Sequence, residues 1–368
     1  MPEPSPTVRK IGVEEELMLV DPHSGRLAPV SHRAVLLDGR RAEVEQELFL
    51  QQIETSTPPC LAAGDLDAGL RAGRRAVGEA AAAAGARAVA VPTAVLAETG
   101  RHITPKPRYL RIQAAYGELA DQALVSAMHL HVDVVDEEEG VRVIDAVRPW
   151  LPLLVALSAN SPYWEGRDTG HVSWRSQLWG RWPSAGPAQP FGDVATYRAV
   201  SEQIVGWGAG LDRAMLYYDV RLSELYPTVE IRVADVTTEV EDVVLVAVLA
   251  RALVATAAAA AEAGEAPTWR ADLLRPAGYR AAHTGLADRL VHPRDAVLVP
   301  AREVFAATVE WVRPALEEAG DLGLVIDGFE RLVARGTGAT RQRAVFEATG
   351  DLGRVVDDLA RRTEDSWA

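Results

Sequence analysis

Four short segments of the 368-residue chain carry carboxylates, imidazoles and arginine at alternate positions. In Ile11-Gly-Val-Glu-Glu-Glu-Leu, Glu14 and Glu16 stand two apart, and in Ala127-Met-His-Leu-His-Val-Asp-Val the polar set is His129, His131 and Asp133. Thr228-Val-Glu-Ile-Arg-Val-Ala-Asp supplies Glu230 and Arg232, while Gln51-Gln-Ile-Glu-Thr-Ser-Thr supplies Gln52, Glu54 and Ser56. Side chains of a strand alternate between faces, so each set shares one face with neighbours roughly 6.5 Å apart. Any one segment fits an antiparallel sheet with a single wet face, or a pair of surface imidazoles. Taken together they are a poor match for plain solvation, which would draw on Lys, Thr, Gln and Ser. If the strands are neighbours, Glu14, Glu16, Glu54 and Glu230 gather in one bowl, an arrangement that is costly unless cations compensate. Carboxylate oxygens with an imidazole suit Mg²⁺ or Mn²⁺. The one cysteine, Cys60, excludes an internal disulfide and any multi-thiolate zinc or iron–sulfur centre.

Metals held by carboxylates and surrounded by arginine point to phosphoryl chemistry on a nucleotide. Lys10 and Lys106 are the only lysines, and neither closes a glycine-rich phosphate loop or reads as a buried Schiff-base amine. Phosphate or carboxylate recognition then falls to arginine, whose planar fork makes two-pronged contacts. Candidates are Arg167, Arg175 and Arg181, in an irregular stretch rich in Trp and Gly between Ser161 and Pro183. Such a stretch fits a substrate loop over a rigid sheet, and equally a surface loop pinned by its tryptophans.

The elements that must position these residues are strands at 10–21, 49–57, 87–92, 126–135, 214–220 and 228–235. Helical patterns run over 65–84, 108–126, 143–159, 194–209, 239–263, 302–318 and 341–362. They mix without a βαβα alternation or a dinucleotide glycine fingerprint, which predicts one α+β domain on a largely antiparallel sheet. Acids outnumber bases 52 to 38, a formal charge of −14 that argues against a nucleic-acid or anionic-membrane partner. The apolar run 243–261 is interrupted by Arg251 and reads as a buried helix rather than a membrane span. The start of the chain lacks the pattern of a signal or transit peptide, which gives a cytoplasmic expectation.

At these residues the sequence resembles the type 2 glutamate–cysteine ligases, also called carboxylate–amine ligases. The resemblance rests on Gly12-Val-Glu-Glu-Glu-Leu, Met128-His-Leu-His-Val, Ser158-Ala-Asn-Ser-Pro-Tyr-Trp, Gly166-Arg-Asp-Thr-Gly, Tyr218-Asp-Val-Arg, Tyr226-Pro-Thr-Val-Glu-Ile-Arg-Val-Ala-Asp and Gly338-Ala-Thr-Arg-Gln-Arg. It implies a glutamine-synthetase-like catalytic fold, an antiparallel sheet curved into a funnel with helices on its outer face. It also implies ATP, two or three Mg²⁺ ions and an acyl-phosphate intermediate, with glutamate as acyl donor and cysteine or another amine as acceptor. Carried over by motif, Glu14, Glu16, Glu54, His129 and Glu230 match metal ligands. Arg232 matches the arginine on the transferring phosphoryl group and, with Glu54, is expected to be catalytic. His131, Arg167, Arg175, Arg181, Arg221 and Arg341 are candidates for ATP or substrate binding. The expected organisation is a tail over 1–9, one catalytic domain over 10–362 and a tail over 363–368, with a homodimer by family analogy. Two other readings stay open: an amide ligase of specialised metabolism or amide hydrolase on the same scaffold, and a non-catalytic nucleotide-binding homologue.

Overall fold

A computed structural model describes residues 8–37, 44–98, 100–265 and 269–367. Its centre is β1 (Ile11–Val20), ten residues whose alternation buries Ile11, Val13, Leu17 and Leu19 on the helix-covered side. Six further strands complete an open antiparallel sheet: β2 (Glu45–Gln46), β3 (Gln52–Ser56), β4 (Arg87–Val89), β5 (Met128–Asp133), β6 (Val220–Leu222) and β7 (Thr228–Ile231). The order is β2-β3-β1-β5-β7-β6, with β4 paired to the far end of β1. Register decides function here. Glu16 lies opposite Glu54, Glu14 opposite His129, His131 opposite Glu230, and Glu230 opposite Arg221. Directly opposed residues share a face, so the polar rows of five strands meet on one side.

Helices cover the other side. In α1 (Ala63–Ala83), Leu66, Leu70, Arg74, Val77 and Ala81 recur three or four apart and are buried. The apolar run forms α4 (Val240–Glu262), long and apolar enough to cross a membrane but mostly buried as the central core helix. Arg251, which breaks the run, is neutralised by Asp321 and donates to the Leu61 carbonyl. Between α1 and α4 in sequence lie α2 (Pro107–Tyr116) and α3 (Glu137–Val147).

Several expected elements differ. Residues 214–220 form a 3₁₀ turn, Arg213–Met215, and an irregular stretch that joins the sheet only at Val220. The long helix expected at 341–362 is two, α7 (Gly338–Thr349) and α8 (Leu352–Asp365). Gly350, at φ +67°, ends the first, and the Asp351 side chain caps the second. Among the described residues, four further helices lie outside the expected set: Ser31–Leu37, Trp174–Trp179 within the stretch expected to be irregular, α5 (Ala271–Thr284) and α6 (Leu322–Arg335). Of the expected tail at 363–368, residues 363–365 are the last turn of α8 and 366–367 a turn after it, while Ala368 lies outside the described residues. The Thr363 hydroxyl is buried and accepts from the Ala90 amide at 3.1 Å, and Arg71 donates to the Ser366 carbonyl at 2.5 Å. At the other terminus, residues 1–7 of the expected tail lie outside the described residues, and Arg9 is held by Glu139 at 2.7 Å.

Candidate active site

The polar face of the sheet lines a cavity of about 360 Å³. Glu14 is its hub: one carboxylate oxygen lies 3.4 Å from His129 Nδ1 and the other 3.2 Å from His131 Nε2. His129 Nε2 stands 3.9 Å from Glu16 and its Nδ1 4.0 Å from Glu230. Glu230 is gripped by Arg221 at 2.7 Å and by Arg232. The Arg232 guanidinium lies over the rings of Trp179 and Tyr217, at 5.9 and 5.7 Å. Glu16 accepts the Ala127 amide at 2.9 Å. Every metal-ligand position expected from the sequence therefore falls on one wall.

Four charged residues of the wall lie outside the sequence motifs. Glu45 and Glu47 come from β2 and the turn after it, Arg108 from the start of α2, and Glu224 from the loop between β6 and β7. Only their acidic or basic type could have marked them. Of the expected arginines, Arg175, Arg221 and Arg232 line the cavity, whereas Arg167, Arg181 and Arg341 stand outside it. Arg167 lies against Trp164 on an exposed hairpin, Arg181 donates to Gln122 at 2.6 Å, and Arg341 pairs with Glu239. The motif around Arg341 is a clasp. Gln342 donates to the Asn160 carbonyl and side chain at 2.7 and 2.8 Å, and a Cβ at Gly338 would collide with Asn160. Thus Ser158-Ala-Asn-Ser and Gly338-Ala-Thr-Arg-Gln-Arg hold each other.

The electrostatics separate the acids. Burial raises Glu14, but the hydrogen bonds and charges of His129 and His131 outweigh it and hold the carboxyl well below the usual range. Burial likewise works against Glu230, yet Arg232 and Arg221 keep it low. Glu16 is pushed up to about 8 by burial and by the neighbouring Glu47, and Glu54 is raised by burial and by Glu47, Glu14 and Glu16. Burial lowers His129 to about 4, so its imidazole is neutral at pH 7 and competent as a ligand. Among the described residues, Glu16, Glu47 and Glu54 hydrogen-bond no arginine; Arg175 donates through Nη1 and Nη2 to the Val233 and Arg232 carbonyls, and Arg108 to Asp212.

This donor set fits divalent cations. Ligand atoms of Glu14, His131 and Glu230 lie within 4.8 Å of one another, and so do those of Glu14, Glu54 and His129. The chemistry is oxygen-rich with imidazole and no thiolate, which suits Mg²⁺ or Mn²⁺. Cations there would relieve the crowding that raises Glu16 and Glu54.

Comparison with known proteins agrees with this geometry. Residues 10–358 match the model of the family described as "Glutamate-cysteine ligase family 2 (GCS2)". A protein of Nocardioides sp. named "Putative glutamate--cysteine ligase 2-1" is 50% identical over 373 residues, covering 98% of this chain and 97% of its own. Among solved structures, the glutamate–cysteine ligase of Francisella tularensis in complex with AMP superposes with a TM-score of 0.76 at 12% identity. That match covers 98% of this chain and 89% of the other. A bifunctional glutathione synthetase from Pasteurella multocida gives 0.70 at 17% identity, over 98% of this chain and 53% of the other. These two show that the chain shares the fold of those ligases, the α+β architecture expected from the sequence. The chain is an enzyme of the ligase type and belongs to glutamate–cysteine ligase family 2.

Proposed function

We propose that this chain is an ATP-dependent carboxylate–amine ligase that works through an acyl phosphate, with the side-chain carboxylate of glutamate as donor and cysteine or another amine as acceptor. The observation that carries the reading is the surplus of carboxylates on the cavity wall, where Glu16, Glu47 and Glu54 have no arginine partner. Glu14, Glu16, Glu54, His129 and Glu230 are the residues to hold two or three Mg²⁺ ions, or Mn²⁺ in their place. Bound there, the ions supply charge neutralisation to the polyphosphate and Lewis-acid stabilisation of the moving phosphoryl group.

The chain's own residues divide the remaining work. Arg232, braced by Trp179 and Tyr217, has an unpartnered Nε and donates to an oxygen of the transferring phosphoryl group. Arg221 fixes the Glu230 carboxylate in its ligating orientation. His131, held through Nδ1 by the Thr228 hydroxyl at 3.0 Å, turns Nε2 to the Glu14 carboxylate at 3.2 Å, on the wall proposed to bind the nucleotide. The donor carboxylate attacks the γ-phosphorus of ATP and ADP leaves. The amine then attacks the acyl carbon, loses a proton and expels phosphate. ADP release measured with glutamate against a panel of amines tests the reading. Amine-dependent turnover is expected, and its absence with every carboxylate donor overturns it.

A further inference from the structure

A second cavity of about 500 Å³ lies behind the first. Arg175, Trp179, Tyr217 and Arg232 line both and form the partition. The two spaces differ in kind, since the second is walled by apolar side chains such as Leu151, Val155 and Leu274. One carboxylate reaches it. Asp219 immediately precedes β6, two residues before Arg221 and opposite Arg232, whose amide donates to the Asp219 carbonyl at 2.9 Å. Among the described residues the Asp219 carboxylate has no hydrogen-bond donor. Burial raises it to about 6, and Arg275 and Arg175 draw it back. Neither cation hydrogen-bonds it: Arg275 donates to the Ala185 carbonyl at 3.1 Å, and Arg175 donates to the two carbonyls named above while its Nε is buried without a partner. A half-buried carboxylate in an apolar wall is costly until a cation pairs with it.

Another polar group points the same way. Arg148 lines only this cavity and is 2% exposed. Its Nε and Nη1 are used by the Asp145 and Ala188 carbonyls, while Nη2 is buried without a partner. Unmet donors of a buried guanidinium call for an anion. The space itself is of the size that encloses a drug-sized ligand, about 300–1,000 Å³, and far exceeds the needs of cysteine.

We infer that this cavity is the acceptor subsite and takes an α-amino acid with a bulky apolar or aromatic side chain, its ammonium at Asp219 and its carboxylate at Arg148. The assignment rests on the ligase reading, because Arg232, set on the transferring group, is part of the partition. The acceptor so held is larger than the cysteine of the family's name.

The test is direct binding of L-phenylalanine and of L-cysteine by calorimetry, with Mg²⁺, glutamate and a non-hydrolysable ATP analogue present. Gly278 of α5 lines the cavity, and a Cβ there meets no atom within 4 Å, so the side chain of Gly278→Leu starts into open space. Asp219→Asn keeps shape and removes charge. Wild-type protein is expected to bind phenylalanine at least about tenfold more tightly than cysteine, and each variant to lose at least about tenfold of phenylalanine affinity. Cysteine binding as tight as phenylalanine, or wild-type phenylalanine affinity in either variant, overturns the assignment. Trapping of activated glutamate by hydroxylamine reports the ligase reading separately. Hydroxamate formed without phenylalanine binding refutes the subsite alone, whereas phenylalanine bound without hydroxamate refutes the ligase reading and, with it, the acceptor role of the cavity.

Discussion

Three consecutive glutamates on β1 meet two opposite fates. Glu15 faces the helices, where Arg74 of α1 takes both its oxygens at 2.6 and 3.0 Å and neither side chain is exposed at all. Arg74 is further satisfied by the Thr237 and Thr238 carbonyls and the Ser366 hydroxyl. Glu14 and Glu16 face the cavity, where Glu16, Glu47 and Glu54 crowd one another and, among the described residues, hydrogen-bond no arginine, although the charges of Arg175 and Arg232 reach them. A structural charge comes with its partner inside the chain, whereas a binding charge is left for something that arrives. The chain's stability and its proposed chemistry are thus assigned to opposite faces of one strand.

The largest effect should come from breaking the paired face. Glu15→Gln leaves Arg74 charged and buried, and is expected to cost about 3–5 kcal/mol in chemical denaturation. On the cavity face the pattern reverses. Glu54→Gln should lower metal-dependent turnover at least about 100-fold, while the metal-free protein unfolds at the same or higher denaturant concentration because crowding is relieved. pH sharpens the contrast. A carboxyl raised in the folded state withdraws stability as pH climbs from its unfolded value, 4.5, through its folded value, about 8 for Glu16. His129, lowered to about 4 from 6.5, loses stability only below pH 6.5, so the interval from 6.5 to 8 isolates the carboxyls. The Mg²⁺-induced rise in Tm should therefore be greater at pH 8 than at pH 6.5, by about 2 °C or more in thermal melts. Smallest of all, Arg181→Ala, outside the cavity and bound to Gln122, should leave turnover within about twofold and stability within about 0.5 kcal/mol.

The sequence carries the faces more clearly than the pairing. Alternation in residues 127–134 and 228–233 places His129, His131, Glu230 and Arg232 on polar faces because burial of Leu130, Val132, Val229 and Ile231 allows no other orientation. Which rows meet is decided by pairing between segments about 40 to 115 residues apart, and local pattern holds no record of it. The chemistry inferred for the row was therefore legible, but Glu47 and Arg108, delivered by a turn and a helix start, were not. Residues 214–220 read as a strand because Met215, Leu216 and Tyr218 are apolar, yet they reach the core from a loop. Pro276 and Gly278 hide α5, and Gly323 and Gly328 weaken the propensity of α6, although Val325, Phe329 and Leu332 keep the helical period. In the irregular tryptophan-rich stretch, residue type was legible and position was not, which is why Arg175 lies in the wall while Arg167 and Arg181 do not.

The claim that the unpaired acids await cations is tested most directly by counting bound Mn²⁺ with electron paramagnetic resonance in the presence of a non-hydrolysable ATP analogue. The account predicts two or three bound ions per wild-type chain and the loss of at least one in Glu54→Gln. Wild-type protein that binds no Mn²⁺ beyond the analogue's own share, or a Glu54→Gln chain that binds as many ions as the wild type, would contradict it.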